Sequence, residues 1–93
     1  MAFGAYIRQQ REAKGIAMND FARRIAISPA YWSRIEREME KPPKDELIQK
    51  AAEILELDPD EAFIKANRFP PDMQRDVGNI VRMYRRKAPV KNK

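Results

Sequence analysis

The segment from residue 22 to 37, ARRIAISPAYWSRIER, constrains the fold more than any other part of the chain. Ser28 is a natural N-cap, and Pro29 suits the first position of a helix, where its missing amide hydrogen costs nothing. Two pairs of apolar residues with helical spacing stand on either side of this break: Ala22 with Ile25, and Trp32 with Ile35. The segment therefore predicts two short amphipathic helices joined by a tight turn.

A tight turn between two short helices makes them cross steeply, which is the arrangement of a helix-turn-helix. The second helix, expected from Pro29 to about Glu38, then leaves one face free to enter a DNA major groove. That face carries Ala30, Tyr31, Ser33, Arg34 and Arg37. Small helical proteins that do not bind DNA also have such connections, so the geometry alone leaves both interpretations open.

The composition excludes several kinds of site. The chain of 93 residues has no cysteine and no histidine, which removes disulfides, thiolate metal sites and the most common general base. One small domain of this length can bury a modest core, but we expect no deep substrate cavity. No apolar run approaches the roughly 20 residues of a membrane helix. We expect a cytoplasmic protein that uses no cofactor, metal or membrane partner.

The charge changes sign twice along the chain. Residues 1–44 carry nine basic and five acidic side chains, residues 45–67 carry two and seven, and residues 68–93 carry eight and two. A basic block that contains the helix-turn-helix suits a phosphate-binding face, because neutralising phosphates releases counterions. We expect the acidic block to face away from DNA. The alternative is that each block is only a solvated surface.

The spacing of apolar residues and the positions of capping residues predict six helices. The organisation expected from them is all-α, with a helix-turn-helix domain over residues 1–68, a C-terminal helix within 69–87 and a disordered basic tail over 88–93. The expected helices are residues 3–14, 18–26, 29–38, 45–57, a short fifth helix capped by Asp60, and a sixth capped by Asp72 after Pro70-Pro71.

The sixth helix carries an apolar stripe that needs a partner surface. One interpretation is a homodimer interface, because a single recognition helix reads only half a site and a two-fold dimer places two such helices about 34 Å apart. The other is that the helix folds back and completes the monomer core, and both can hold for different residues. The stripe consists of Met73, Val77, Ile80, Val81 and Tyr84.

The chain resembles the xenobiotic-response-element (XRE) or Cro/CI class of phage and bacterial helix-turn-helix regulators over about residues 3–66. Five motifs carry the resemblance, in order and at consistent spacing: IRQQREAKGI, DFARRIAIS, SPAYWSRIER, the following PP and AAEILELDPDEAF. The resemblance implies a five-helix, lambda-repressor-like domain, followed here by the sixth helix. It also implies a sequence-specific transcriptional regulator of double-stranded DNA, expected to be a dimeric repressor on a pseudo-palindromic operator.

The resemblance assigns roles to particular residues. Arg11 and Glu36 should form a partly buried ion pair between the first and third helices. The positions that contact bases or flanking phosphates in the family fall here on Ser28, Pro29, Ala30 and Arg34. Of these, Arg34 can bond guanine O6 and N7 together.

Neighbouring residues complete the expected interface. Tyr31 and Ser33 have hydroxyls that can reach bases or phosphates. Trp32 could serve as a stacking platform, but it occupies an apolar core position of the family, and we expect it in the core. The expected phosphate contacts at the helix end and in the following loop are Arg37, Lys41 and Lys44.

The sequence departs from the family pattern at the starts and ends of helices. Ala17-Met18 replaces a capping Ser or Thr followed by Gln, which leaves Asn19 as the nearest polar residue for a phosphate contact. Ala26 replaces the usual turn glycine, so a left-handed backbone there would carry strain of roughly 1 kcal/mol. Glu38 and Glu56 also stand where glycine is frequent.

Two other functions remain as alternatives. The same fold can serve as a coactivator-like or antitoxin-like module whose main ligand is a protein, with weak, salt-driven DNA binding. An enzyme would have to use acids that serve better as helix caps and solvated charges, so we expect no catalysis. Those acids are Asp45, Glu46, Asp58, Asp60 and Glu61.

Overall fold

The structure, a computed structural model, describes residues 2–74, 78–79 and 81–83. All regular secondary structure in this part of the chain is helical, which confirms the predicted fold class. Residues 78–79 and 81–83 are helical as well. The helices are α1 (Phe3–Ala13), α2 (Met18–Arg24), α3 (Pro29–Glu36), α4 (Asp45–Leu55), α5 (Pro59–Lys65) and α6 (Pro71–Gln74).

The core forms around α1, which packs against α3, α4 and α5, while α2 packs on α3 and α4 on α5. Trp32 is fully buried, with its ring centroid 5.3 Å from that of Phe21. The expectation that Trp32 belongs to the core is therefore confirmed. The buried apolar residues are Phe3, Tyr6, Ile7, Phe21, Ala22, Ile25, Trp32, Ile35, Ile48, Ala51, Ala52, Leu55, Ala62, Phe63 and Ala66.

Helices α1 to α5 all end with the same backbone motif. A residue with a left-handed backbone follows the helix, and the next amide donates back to a carbonyl five residues earlier, as in a Schellman motif. The amide of Ile27, for example, donates to the Ala22 carbonyl at 3.0 Å. The left-handed residues are Gly15 (φ 69°), Ala26 (61°), Glu38 (62°), Glu56 (56°) and Asn67 (60°).

These motifs explain why the helices stop earlier than predicted. Helix α2 ends at Arg24 instead of residue 26, α3 at Glu36 instead of 38, and α4 at Leu55 instead of 57; α1 ends one residue early, at Ala13. After α3 the residue that follows the left-handed one, Met39, is 64% exposed, but after α1, α2 and α4 the apolar spacing runs past the helix end because the corresponding residue packs on the core. Ile16, Ile27 and Leu57 are such residues.

Helices α1 to α4 begin at the predicted residues. Of the three capping residues predicted at helix starts, Ser28 is confirmed, and Asp60 and Asp72 are not caps. The Ser28 hydroxyl accepts from the Tyr31 amide at 3.1 Å, with Pro29 at the first position, as expected. The predicted cap Asp60 is wrong: Asp58 caps α5, its carboxylate accepting from the Asp60 amide at 3.0 Å, because Pro59 takes the first helical position. Asp72 lies inside the first turn of α6, which begins at Pro71.

Several predictions concern residues beyond the described ranges. Val77, Ile80 and Tyr84 of the apolar stripe lie there, as does the basic tail over 88–93. Within the described ranges, no helix has the length and apolar character needed to cross a membrane. In the same part of the chain, no group of three acidic side chains is placed to hold a metal ion.

Replacing Ala26 with glycine should stabilise the protein. Glycine adopts the left-handed backbone without the steric cost of a Cβ, so we expect Ala26→Gly to raise the free energy of unfolding by about 1 kcal/mol. Urea denaturation, followed by the fluorescence of the single tryptophan, measures the change.

Glu38→Gly provides the contrast. The Glu38 carboxylate accepts a hydrogen bond from the Ala5 amide at 2.8 Å, so this variant relieves strain but loses a cap on the first turn of α1. We expect its net gain to be smaller than that of Ala26→Gly. Equal gains for both variants, or a loss of stability for Ala26→Gly, would contradict the strain argument.

Candidate nucleic-acid interface

The position of α3 depends on a buried ion pair. Arg11 in α1 and Glu36 in α3 are only 7% and 5% exposed. Nε and Nη2 of Arg11 each donate to one carboxylate oxygen of Glu36, both at 2.8 Å, and Nη1 donates to the Ile16 carbonyl at 2.7 Å. Trp32 Nε1 donates to Glu36 Oε2 at 2.7 Å. The structure thus brings together the two residues predicted to pair, with each guanidinium nitrogen bonded.

The environment keeps Arg11 charged. The hydrogen bond to Glu36 raises the pKa of the guanidinium, the negative charges of Glu36 and Glu12 act in the same direction, and burial opposes them. A bidentate arginine–carboxylate pair restricts rotation as well as distance, because two parallel bonds must form at once. The pair therefore sets the orientation of α3 relative to α1.

A close approach of α1 to the end of α3 adds a second constraint. A Cβ at Gly4 would lie 2.1 Å from the carbonyl oxygen of Ile35, so only glycine allows this spacing without a shift of the backbone. Glu38 continues the contact by accepting from the Ala5 amide. The C-terminal end of α3 is thereby attached to the first turn of α1.

The predicted base contacts lie on the accessible part of α3. The buried side of this helix consists of Trp32, Ile35 and Glu36. None of the predicted base-contact residues is buried: Ser28, Pro29 and Ala30 are exposed, and Tyr31, Ser33 and Arg34 are half-buried.

Arg34 is held by its neighbours in a way that leaves two donor groups available. Its Nε donates to Glu40 Oε2 at 3.3 Å, and its guanidinium carbon lies 6.0 Å from the centroid of the Tyr31 ring. Neither Nη1 nor Nη2 bonds to another described residue. A bidentate contact with guanine uses two such N–H groups, so the side chain is chemically equipped for it.

The predicted phosphate contacts are all exposed, but they lie on different elements. Asn19 is in the first turn of α2, Arg37 follows α3, and Lys41 and Lys44 are in the loop before α4. Lys44 pairs with Glu46 at 3.4 Å, with both side chains largely in solvent. Such exposed pairs are weak, so Lys44 can exchange Glu46 for a phosphate at little cost.

Two surface grooves identify further cations that the sequence did not reveal. One groove places Lys50 of α4 beside Lys44 and the α2–α3 turn. The other places Arg8 of α1 beside Arg37 and Ser33. Lys50 and Arg8 are far from the helix-turn-helix along the chain, so no local pattern could have indicated them.

Glu46 modifies the expected separation of charge. Its side chain lines the same groove as Lys44 and the α2–α3 turn. The acidic segment therefore does not lie wholly apart from the basic one. The reason is that α4 begins immediately after the basic loop, so its acidic first turn stays beside Lys44.

Comparison with known proteins finds a helix-turn-helix domain model that matches residues 2–62. An uncharacterized HTH-type transcriptional regulator of Mycobacterium tuberculosis is 31% identical over 78 residues, which cover 84% of this chain and 55% of that protein. The chain spans about half the length of the curated relatives it matches.

Two solved structures share the fold. One is SinR, the master regulator for biofilm formation, in complex with DNA; it aligns with a TM-score of 0.60 and 25% identity, covering 64% of this chain and 95% of that one. The clp gene regulator ClgR from Corynebacterium glutamicum aligns with a TM-score of 0.59 and 28% identity, covering 70% and 83%.

Breaking the buried pair should destabilise the protein strongly. Arg11→Met leaves the Glu36 carboxylate buried without its partner, and we expect the free energy of unfolding to fall by about 3–5 kcal/mol. The matched control is Arg8→Met in the same helix, which breaks an exposed pair with Glu12 and should cost only about 0.5 kcal/mol. Urea denaturation of both variants measures the difference; similar losses would contradict the role given to the Arg11–Glu36 pair.

Proposed function

The chain belongs to the helix-turn-helix domain family, and from this membership we propose that it is a sequence-specific transcriptional regulator that binds DNA through α3. The observation that carries the proposal is the state of Arg34, which stands on a helix fixed by a buried ion pair and keeps two donor groups that bond to no other described residue. The presence of DNA in the solved SinR structure supports the same ligand for this chain.

The proposed readout separates base contacts from phosphate contacts. Arg34 would bond guanine O6 and N7, and the Ala30 methyl group suits a thymine methyl. The hydroxyls of Tyr31 and Ser33 would contact bases or phosphates, and Ser28 and Pro29 lie at the end of α3 that enters the groove first. The phosphate contacts would fix the register without reading sequence; they are Asn19, Arg37, Lys41 and Lys44.

A second copy of the chain would complete the binding site. One recognition helix covers half a site, so a two-fold dimer on a pseudo-palindromic operator supplies the remaining contacts. We place the dimer contact on α6 and the helical residues after it, where Met73 and Val81 are exposed. No residue of α6 is buried, which favours a dimer surface over completion of the monomer core.

We place this regulator in the cytoplasm and assign it no catalytic role. Occupation of an operator that overlaps a promoter would make it a repressor.

The alternative is a protein-interaction module of the same fold. It is favoured by an apolar groove lined by Ile64, Phe69, Pro70 and Met73. That function predicts DNA binding that depends on salt but not on sequence.

Two substitutions distinguish base readout from phosphate contact. Arg34→Ala should weaken binding to a selected site by about 1–3 kcal/mol, roughly fivefold to 150-fold, with little change on random duplex DNA. Lys44→Ala should weaken both complexes to a similar extent and reduce the slope of log affinity against log salt by about 1. Fluorescence anisotropy titrations at several salt concentrations measure both effects.

The site itself comes from selection of bound sequences from random duplex DNA at physiological salt, together with the mass of the protein in solution. An enriched inverted repeat and a dimeric mass are the expected results. Lys14→Ala is the control for the loss of one positive charge, since Lys14 pairs with Glu56 at the end of α4 and is not among the proposed DNA contacts. The absence of any enriched sequence, or equal effects of Arg34→Ala on selected and random DNA, would favour the interaction module.

A further inference from the structure

The backbone of Arg68 is held in place by the Schellman motif that ends α5. Asn67 adopts the left-handed conformation, and the Arg68 amide donates to the Phe63 carbonyl at 2.9 Å. The chain therefore turns back toward α4 at this point. None of the proposed DNA contacts includes Arg68, although it is a cation next to the acidic segment.

The Arg68 side chain binds the loop between α3 and α4. Its Nη2 donates to the Pro42 carbonyl at 2.9 Å, and its Nη1 donates to the Pro43 carbonyl and to Asp45 Oδ1, the latter at 3.1 Å. The side chains of Arg68 and Asp45 are only 31% and 34% exposed. One guanidinium thus connects two consecutive loop carbonyls to the first residue of α4.

The loop needs an external donor because of its sequence. Pro42 and Pro43 have no amide hydrogen, so they cannot donate backbone hydrogen bonds that would hold this part of the loop in place. Pro43 is buried, and its carbonyl must be paired within the protein. Arg68 supplies these bonds from a helix end that lies more than 20 residues away in the sequence.

The two bound prolines lie between the proposed phosphate contacts Lys41 and Lys44. Both lysine side chains are exposed, so the position of their backbone depends on how the loop between them is held. Asp45 extends the connection, because its second carboxylate oxygen accepts from Gln74 Nε2 at 3.0 Å. The loop is therefore bonded to the end of α5 and to α6 at once.

We propose that Arg68 is a positioning residue for DNA binding, which fixes the α3–α4 loop so that Lys41 and Lys44 meet the phosphate backbone. The proposal rests on the proposed function. A preformed loop binds DNA more tightly, because the conformational entropy of the loop is lost when the protein folds and not when it binds. The competing explanation, that Arg68 contacts a phosphate itself, is an outcome of the test.

The test combines two measurements on Arg68→Met, which keeps most of the aliphatic stem and removes the guanidinium. Amide hydrogen exchange of Leu47 and Ile48, whose amides donate to the Lys44 carbonyl, should become about tenfold faster, with α1 unchanged. The affinity for random duplex DNA should fall by roughly fivefold to tenfold. Lys65→Met is the matched control: it removes the same charge from α5, and Lys65 lies against the Tyr6 ring instead of the loop.

A double-mutant cycle separates positioning from direct contact. In a Lys41→Ala/Lys44→Ala background, Arg68→Met should change the affinity for DNA by less than about twofold, because the lysines that it positions are absent. An undiminished effect in that background would show that Arg68 contacts phosphate directly and would overturn the proposal. Unchanged exchange of the Leu47 and Ile48 amides in Arg68→Met would overturn it as well.

The failure of the proposed function has a different signature. In that case the unsubstituted protein shows no preference for any selected sequence over random duplex DNA. If it binds no duplex DNA at all, the positioning role in DNA binding is refuted as well. If the unsubstituted protein binds DNA and Arg68→Met binds as tightly as Lys65→Met, only the role of Arg68 is refuted.

Discussion

The arrangement of this domain depends on one buried ion pair, Arg11 with Glu36. Two bonds of 2.8 Å fix the angle between α1 and α3, and the Trp32 indole and the Ile16 carbonyl satisfy further polar groups of the pair. A buried pair of this kind contributes more to geometry than to net stability, because desolvation offsets much of the attraction. In this domain the pair prevents α3 from rotating relative to α1, so the same side of α3 always faces outward.

The helices around this pair are too short to be stable alone, since isolated helices of 7–11 residues are marginal in water. They persist because they pack on one another around one core. Each ends in a tight reversal, and those after α1, α2 and α4 return Ile16, Ile27 and Leu57 to that core. The chain accepts backbone strain for these reversals, with Ala26, Glu38 and Glu56 in a conformation that favours glycine. Glu38 recovers part of that cost by capping α1.

The proposed recognition surface is divided between two elements of this frame. Arg34 stands on the rigid helix, whereas Lys41 and Lys44 are on a loop whose order depends on contacts with Arg68 and Asp45. The base contacts would then depend on the position of α3, and the phosphate contacts of the two lysines on the order of the α3–α4 loop. The acidic first turn of α4 moderates the positive charge beside the α2–α3 turn through the Lys44–Glu46 pair.

The sequence by itself determined the all-α class, the order of the helices, the Ser28 cap and the burial of Trp32, because these follow from local spacing and capping chemistry. Through the family resemblance it also indicated the left-handed residue at Ala26 and the pairing of Arg11 with Glu36. Only the tertiary structure decided where the helices end, that Asp58 caps α5, and that Arg68 binds the α3–α4 loop. It alone placed Arg8 and Lys50 beside α3 and the α2–α3 turn. These features depend on which donors and acceptors meet after the chain has folded, and residues far apart along the chain leave no periodic or local signal of their contact.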